Sequence, residues 1–213
     1  MFNVYLVGED AVTIEILHRV LRFCAEIKHV NINVIAEFPV RGGKIKDAII
    51  SYNKLSLTFP VILLTDLDDA SCAPCLLKKL MKGTTPNREF VINIAVDEAE
   101  AWLMADRVGF ANYFCVDIDA IPMPFPTKQG GRNYCTEMNF GIKSSYDFTH
   151  RILQTCSNST IKNQLLPRKG AAKGPEYNPV VIPFVSSKWD INAARQNSNS
   201  LDRMINRILL LLS

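Results

Sequence analysis

Five acidic residues follow short apolar runs of this sequence, at the points where those runs end. They are Glu9, then Asp66 and Asp68, then Glu98 and Glu100. Because ligands in open α/β sheets lie beyond the carboxyl ends of the strands, we expect these carboxylates to converge at one edge of a sheet. Carboxylates brought together repel one another and resist desolvation. Mg²⁺ or Mn²⁺ would offset that repulsion, since these cations prefer carboxylate oxygen and keep water ligands for a substrate phosphate.

The spacing of Asp66 and Asp68 suits a shared metal ion. On an extended segment, residues two apart point to the same side, so both side chains would reach one ion. We therefore predict metal ligands at Glu9, Asp66, Asp68, Glu98 and Glu100. Each acid alone has a structural alternative, as a helix cap, a turn residue or a partner of a helix dipole.

The chemistry expected from such a metal site is hydrolysis of phosphodiesters, with basic side chains holding the flanking phosphates. Candidates for nucleic-acid binding are Arg41, Lys44, Lys128 and Lys173. The net charge of +3 and the isoelectric point near 8.5 permit a nucleic-acid partner without requiring one. For any single basic residue, a solvated surface charge is the alternative.

The elements that must position these residues alternate along the chain. The sequence predicts strands over 2–7, 30–38, 59–65 and 90–96, and helices over 11–27, 45–55, 73–81 and 97–106. This order is typical of an α/β fold with a mostly parallel sheet of about four strands, covered by helices on both faces. We predict an α/β core over residues 1–108, with a less regular extension over 109–213 that packs on it as one structural unit.

The pattern is weaker in the C-terminal half. Prolines at 122, 124 and 126 predict an irregular stretch there. We also expect a helix over 146–155, a loop over 169–179, a strand over 180–185 and a final helix over 200–212. Trp102 lies at helical spacing among apolar residues, so packing in the core is its expected role.

Several protein classes are disfavoured by composition. Hydrophobic residues make up 48% of the chain, which is ordinary for a folded domain. No apolar run is long enough to span a bilayer, and no secretory signal is recognisable, so we expect a cytoplasmic protein without membrane contact. Cys72 and Cys75 form a Cys-x-x-Cys pair at a predicted helix start. We expect inert thiols there, and a redox or zinc role is the alternative.

The acidic motifs resemble a known family. Glu9 after the first strand, followed by Asp66-Leu67-Asp68, is similar to the Toprim motif. Residues 98–106 (EAEAWLMAD) resemble a tryptophan-containing signature of bacterial Toprim-like proteins of unknown function, the DUF4276 type, which are related to OLD-like nucleases. Residues 173–177 (KGPEY) and 198–203 (SNSLDR) are similar to the tail of that family. The resemblance covers most of the chain.

The resemblance implies a Toprim/Rossmann-like fold and a Mg²⁺- or Mn²⁺-dependent nuclease, since members are suspected nucleases often linked to phage defence. By position, Glu9 is similar to the Toprim glutamate, Asp66 and Asp68 to the metal-binding pair, and Glu100 to the later acidic residue. The resemblance therefore implies a catalytic set of Glu9, Asp66, Asp68 and Glu100. One departure is that no lysine follows Glu9, although many Toprim enzymes have one there. Lys44, Lys128 and Lys173 are candidates to replace it.

Two other functions stay open at this point. One is a non-catalytic subunit that binds nucleotide or metal in a defence or toxin–antitoxin system, with a protein partner or as a homodimer. The other is a phosphohydrolase that uses the same acidic cluster on small phosphate esters. The sequence does not distinguish a DNA substrate from an RNA substrate.

Overall fold

The computed structural model describes the backbone of residues 1–40, 44–129 and 132–213, and the side chains of these ranges except at 127–135. The chain divides into two compact units. Unit 1 comprises residues 1–96 and 203–213, and unit 2 comprises residues 97–202. The predicted boundary at residue 108 therefore lies inside unit 2, and the last eleven residues belong to the unit that contains the first strand.

The strands are β1 (Phe2–Gly8), β2 (Ile32–Pro39), β3 (Val61–Asp66), β4 (Phe90–Ala95), β5 (Pro124–Gln129) and β6 (Arg132–Met138). The helices are α1 (Ala11–Lys28), α2 (Lys44–Asp47), α3 (Ile49–Leu55), α4 (Ala73–Met81), α5 (Ala99–Ala105), α6 (Arg107–Phe114), α7 (Ser144–His150), α8 (Ser159–Leu165), α9 (Tyr177–Ser187), α10 (Ile191–Asn197) and α11 (Asn199–Leu211). Short 3-10 helices lie at Ile118–Ala120 and Ile152–Thr155.

Unit 1 is built on a parallel sheet with the strand order β2-β1-β3-β4. The predicted α/β class and its four parallel strands are thus confirmed. The continuous apolar run of β3 is explained by its central position, because residues 61–65 are buried whichever face they point to. The two outer strands of the sheet are β2 and β4.

Helices cover both faces of this sheet, as predicted. On one face, Ile45 of α2, Ile49 of α3 and Leu80 of α4 pack in one cluster with Val61 and Leu63 of β3. Helix α1 packs against β1, β2 and β3, and the Cys24 thiol of α1 contacts the Ile205 carbonyl oxygen of α11. Side chains alternate along β3, so Ile62 and Leu64 point away from the first cluster.

Unit 2 is mainly helical and has an aromatic core. The rings of Phe110 and Phe114 contact each other, and each also contacts the rings of Phe148 and Phe184, at centroid distances of 4.4 to 5.7 Å. The predicted strand over 180–185 is wrong, because these residues form the middle of α9, with Pro183 inside the helix. The predicted loop before it ends where α9 begins, at Tyr177.

The proline-rich stretch is also more regular than predicted. Residues 124–129 form β5, which pairs with β6 in a two-stranded antiparallel sheet. Both strands of such a sheet are edge strands, where a residue without a backbone N–H is tolerated. Pro124 and Pro126 therefore fit a strand that has only one neighbour.

The described part of the chain contains no helix that is long and apolar enough to cross a membrane.

Candidate functional site

Glu9 and Asp66 meet at the carboxyl edge of the unit 1 sheet. Glu9 directly follows β1, Asp66 is the last residue of β3, and these two strands are neighbours. The Glu9 Oε1 atom accepts a hydrogen bond of 2.5 Å from the Thr65 hydroxyl and one of 3.1 Å from the Asp66 backbone N–H. Thr65 is fully buried. The end of β3 therefore fixes the orientation of the Glu9 carboxylate.

A tight connection between β1 and α1 holds Glu9 in this position. A Cβ atom added at Gly8 would lie 2.8 Å from the Thr13 hydroxyl oxygen, so only glycine fits where α1 approaches the strand. The N-cap of α1 is Asp10, which exchanges hydrogen bonds with Thr13 in a capping box. Because Asp10 caps the helix, Glu9 is not needed for that structural role.

Asp68 differs from the sequence prediction in its backbone. The strand ends at Asp66, and Asp68 has a left-handed conformation with φ of 50°. The prediction that Asp66 and Asp68 lie on one extended segment and point to the same side is therefore wrong. The Asp68 carboxylate pairs with the Lys46 ammonium at 2.6 Å. Lys46 is a basic residue at the site that the sequence analysis missed, because only tertiary structure brings α2 to this loop.

In unit 2, Glu98 binds the start of a helix. Its Oε2 atom accepts hydrogen bonds from the Ser145 backbone N–H at 2.9 Å and from the Ser144 hydroxyl at 3.5 Å. The Lys143 ammonium lies 3.8 Å from Oε1. The Ser145 N–H belongs to the first turn of α7 and has no partner within that helix. The structural alternative placed Glu98 in the first turn of its own helix, but its side chain makes no cap bond to α5 and binds the start of α7 instead.

Glu100 is buried and neutralised by its neighbours. Its side chain is 8% exposed, and Oε1 accepts a hydrogen bond of 2.8 Å from the Tyr177 hydroxyl. The Lys173 ammonium lies 2.9 Å from the same oxygen and 4.6 Å from the centre of the Tyr177 ring. Lys173, predicted to bind nucleic acid, therefore compensates a buried charge.

Asp97 is an acidic residue of unit 2 that the sequence analysis did not single out. Burial raises the pKa of its carboxyl group to about 6. Hydrogen bonds from Ser144 lower this pKa, and the negative charges of Glu98 and Glu100 raise it further. Its backbone is left-handed, with φ of 68°. The folded chain therefore holds a proton on Asp97 at pH values where the unfolded chain has lost it.

This pKa predicts a stabilising substitution, Asp97→Asn. Below about pH 4 the carboxyl is protonated in both the folded and the unfolded state. As the pH rises through 6, the folded state acquires a partly buried charge that costs stability, so the free energy of unfolding of the wild type decreases. Asparagine tolerates the left-handed backbone and removes the charge. We expect a gain in the free energy of unfolding of about 1 kcal/mol at pH 8, reduced from the full effect of the shift by solvent screening, and almost none at pH 4.

Urea unfolding at the two pH values measures the effect. Asp119→Asn serves as the control, because Asp119 is an exposed acid of the same unit. An Asp97→Asn variant that gains no more at pH 8 than at pH 4 would contradict the assignment.

Three other basic residues were predicted to bind nucleic acid: Arg41, Lys44 and Lys128. Arg41 and the side chain of Lys128 lie outside the described residues. Lys44 is exposed at the first position of α2, two residues before Lys46. Their predicted role in nucleic-acid binding stays a prediction.

The segments that carry the family resemblance contact one another within unit 2. Trp102 is fully buried, as expected, and its indole N–H donates a hydrogen bond of 2.8 Å to the Ser200 hydroxyl. Glu100 reaches Lys173 and Tyr177 of the second segment. Asp106 accepts hydrogen bonds from the backbone N–H groups of residues 109 and 190. The resemblance thus rests partly on residues that hold unit 2 together.

A metal centre requires oxygen ligands in reach of one another. In the ranges that the structure describes, no group of three or more carboxylate, histidine or cysteine side chains could hold an ion. Glu9 and Asp66 provide two carboxylates at one edge. Both of these hydrogen bonds to Glu9 end on the Oε1 atom. One or two carboxylates with several waters are the usual protein share of a Mg²⁺ site, and the pair fits that chemistry.

Comparison with known proteins finds no matching family model, no similar curated protein and no similar solved structure.

Proposed function

We propose that this protein is a Mg²⁺- or Mn²⁺-dependent phosphodiesterase that hydrolyses nucleic acid, with its site at the carboxyl edge of the unit 1 sheet. The observation that carries the proposal is the Glu9 carboxylate, which is held in a fixed orientation beside Asp66. The Toprim resemblance of the same two residues supports it.

The position of this pair in the sheet supports a ligand site. In the order β2-β1-β3-β4, the chain moves from β1 outward to β2 and then returns to the other side of β1 to form β3. The strand order therefore reverses between β1 and β3. In doubly wound sheets, the crevice beyond the carboxyl ends at that point is where ligands bind. Glu9 and Asp66 lie at the ends of the two strands that flank this crevice.

In this proposal, Glu9 and Asp66 hold the metal ion, and Thr65 positions Glu9. A bound Mg²⁺ or Mn²⁺ supplies a water of lowered pKa and stabilises negative charge on the phosphate. Lys46 contributes a positive charge close to the aspartate loop through its ion pair with Asp68. This lysine takes the place that the sequence analysis left open when no lysine followed Glu9.

A substrate panel tests the proposal. Purified protein is incubated with single- and double-stranded DNA, with RNA and with a small phosphodiester, each with Mg²⁺, Mn²⁺ or EDTA. We expect cleavage of at least one polynucleotide that depends on the metal and stops with EDTA. Hydrolysis of the small ester alone would support the small-molecule phosphohydrolase instead.

A non-catalytic role is the second candidate, and the ion pair between Lys46 and Asp68 favours it. The pair neutralises Asp68 without a metal, as Lys173 does for Glu100. Under this alternative no substrate of the panel is cleaved, and an Asp66→Asn, Asp68→Asn double variant still forms the complexes of the wild type.

Thr65→Val tests whether Glu9 needs its positioning hydrogen bond. Valine has nearly the shape of threonine but lacks the hydroxyl that donates to Glu9 at 2.5 Å. We expect metal-dependent cleavage to fall about tenfold, the effect typical of losing a group that orients a metal ligand. Excess Mn²⁺ should restore part of the rate, because the ligand is misoriented and not removed. A variant that cleaves like the wild type at limiting metal would contradict the positioning role.

A further inference from the structure

Cys72 and Cys75 are joined by a disulfide bond at the start of α4. The expectation of inert thiols is therefore wrong for this pair, whereas its predicted position at a helix start is confirmed. Cys24, Cys115 and Cys156 are free thiols, and of these Cys24 and Cys156 are buried. The pair thus differs from the other described cysteines in its bond, and Cys75 is more exposed than any of them.

The two sulfurs have different environments. Cys75 is exposed, whereas Cys72 is partly buried. Cys72 is the N-cap residue of α4, and its sulfur accepts a hydrogen bond of 3.1 Å from the Cys75 backbone N–H. A thiolate at a helix N-terminus is stabilised by such N–H groups and by the helix dipole, which lowers the pKa of the thiol.

The bond encloses a short stretch of chain. Its two cysteines are three residues apart, and the stabilisation that a disulfide gives by restricting the unfolded chain is smallest for short loops. Helix α4 also has other anchors, since Leu76 and Leu80 are part of the core cluster of unit 1. Reduction of the bond should therefore leave the fold intact, which is what reversible redox chemistry needs.

We propose that Cys72 and Cys75 form a thiol–disulfide exchange site that accepts electrons from thiols. A substrate thiolate attacks the exposed Cys75 sulfur, the bond between the two cysteines breaks, and Cys72 leaves as a thiolate. The product is a mixed disulfide on Cys75. A second substrate thiolate attacks the substrate sulfur of that mixed disulfide and releases Cys75 as a thiolate. In total, two thiols lose two electrons and two protons and become one disulfide, and the protein disulfide becomes two thiols.

The direction of attack follows from the two environments. The attacking thiolate can reach Cys75, because that residue is exposed. The departing sulfur is the one at the helix N-cap, and exchange is faster when the leaving thiol has a low pKa. This activity would be independent of the phosphodiesterase proposal, since none of its steps uses Glu9 or Asp66.

A glutathione redox titration tests the proposal on the full chain. The protein is equilibrated at a series of ratios of reduced to oxidised glutathione, alkylated, and analysed by mass spectrometry of the peptide that contains Cys72 and Cys75. We expect a reversible two-electron transition of this pair in the native protein, with unchanged circular dichroism. Cys115→Ser is the control, because it removes a partly exposed thiol outside the pair and should not move the transition.

Two single variants test the assigned roles. In Cys72→Ser, Cys75 should retain glutathione as a mixed disulfide at an occupancy at least about tenfold above that of the wild type, because the partner that displaces glutathione is gone. In Cys75→Ser, the alkylation rate of Cys72 should reach half its maximum at a pH below about 8.5, the value of an ordinary cysteine.

Three results would overturn the proposal: a disulfide that is reduced only when the protein unfolds, two free thiols in the air-oxidised protein, or glutathione that accumulates on Cys72→Ser no more than on the wild type. The first and second are read from the wild type alone, so the test does not depend on the folding of a variant.

Discussion

An Asp66→Asn variant is expected to cleave nucleic acid at least about 100-fold more slowly than the wild type in Mg²⁺. Metal ions contribute several kcal/mol to the stabilisation of a transition state, and each 1.36 kcal/mol changes the rate tenfold. Asparagine keeps the backbone N–H that binds Glu9, so the orientation of Glu9 should survive the substitution. The loss would then report on the Asp66 carboxylate itself.

The matched control for this variant is Asp69→Asn. Asp69 is an exposed acid three residues further along the same loop, and its replacement removes the same charge. Initial rates of cleavage at several Mg²⁺ concentrations compare the two variants. Equal losses in both would mean that the net charge of the loop matters and the position of Asp66 does not.

Trp102→Ala is expected to destabilise unit 2 by about 4 kcal/mol. The Trp102 side chain is fully buried in α5, and the substitution leaves a large cavity and deprives the Ser200 hydroxyl of its indole donor. Such a loss is a large fraction of the stability of a typical domain. The tryptophan of the family-like signature would thus serve the fold of unit 2.

Urea unfolding followed by fluorescence measures this loss. The sequence has two tryptophans, and the second, Trp189, is also buried in unit 2, so it reports on the same unit in the variant. Val108→Ala in α6 is the control, because Val108 is 61% exposed and surface substitutions usually change stability by less than about 0.5 kcal/mol. A Trp102→Ala variant as stable as this control would contradict the core role.

The sheet of unit 1 could be predicted from sequence because its strands carry strong local signals. Residues 61–64 of β3 are all apolar and all buried, as a strand covered on both faces requires. The bounds of α4, 73–81, agree with the prediction at both ends. The apolar pattern of a buried strand and the residues that begin or end a helix each extend over only a few neighbouring positions. They can therefore be recognised in the sequence without knowledge of tertiary contacts.

Unit 2 was harder to predict because its apolar runs are ambiguous. The run over 180–185 contains a proline and consecutive apolar residues, and a short run of this kind does not distinguish a buried strand from a buried helix. Its helical form depends on packing, since Val181, Phe184 and Val185 all lie in the core. The pairing of β5 with β6 was missed because prolines are compatible with a strand only when it lies at an edge of a sheet.

At the candidate site, the sequence located the acids but not their partners. The ends of β1 and β3 follow from the strand pattern, so Glu9 and Asp66 could be placed at one edge. The contacts of Glu9 with Thr65 and of Asp68 with Lys46 join residues 56 and 22 positions apart, and no local pattern specifies them. The left-handed backbone of Asp68 likewise had no signal, since aspartate adopts both conformations.

Binding of Mn²⁺, followed by electron paramagnetic resonance of the free ion, measures the proposed metal site at Glu9 and Asp66 without any substrate. We expect the wild type to bind Mn²⁺ and Glu9→Gln and Asp66→Asn each to weaken binding by at least about tenfold, whereas Asp69→Asn should not. Equal Mn²⁺ affinity in all four proteins, or no binding by the wild type at millimolar Mn²⁺, would contradict a metal site formed by Glu9 and Asp66.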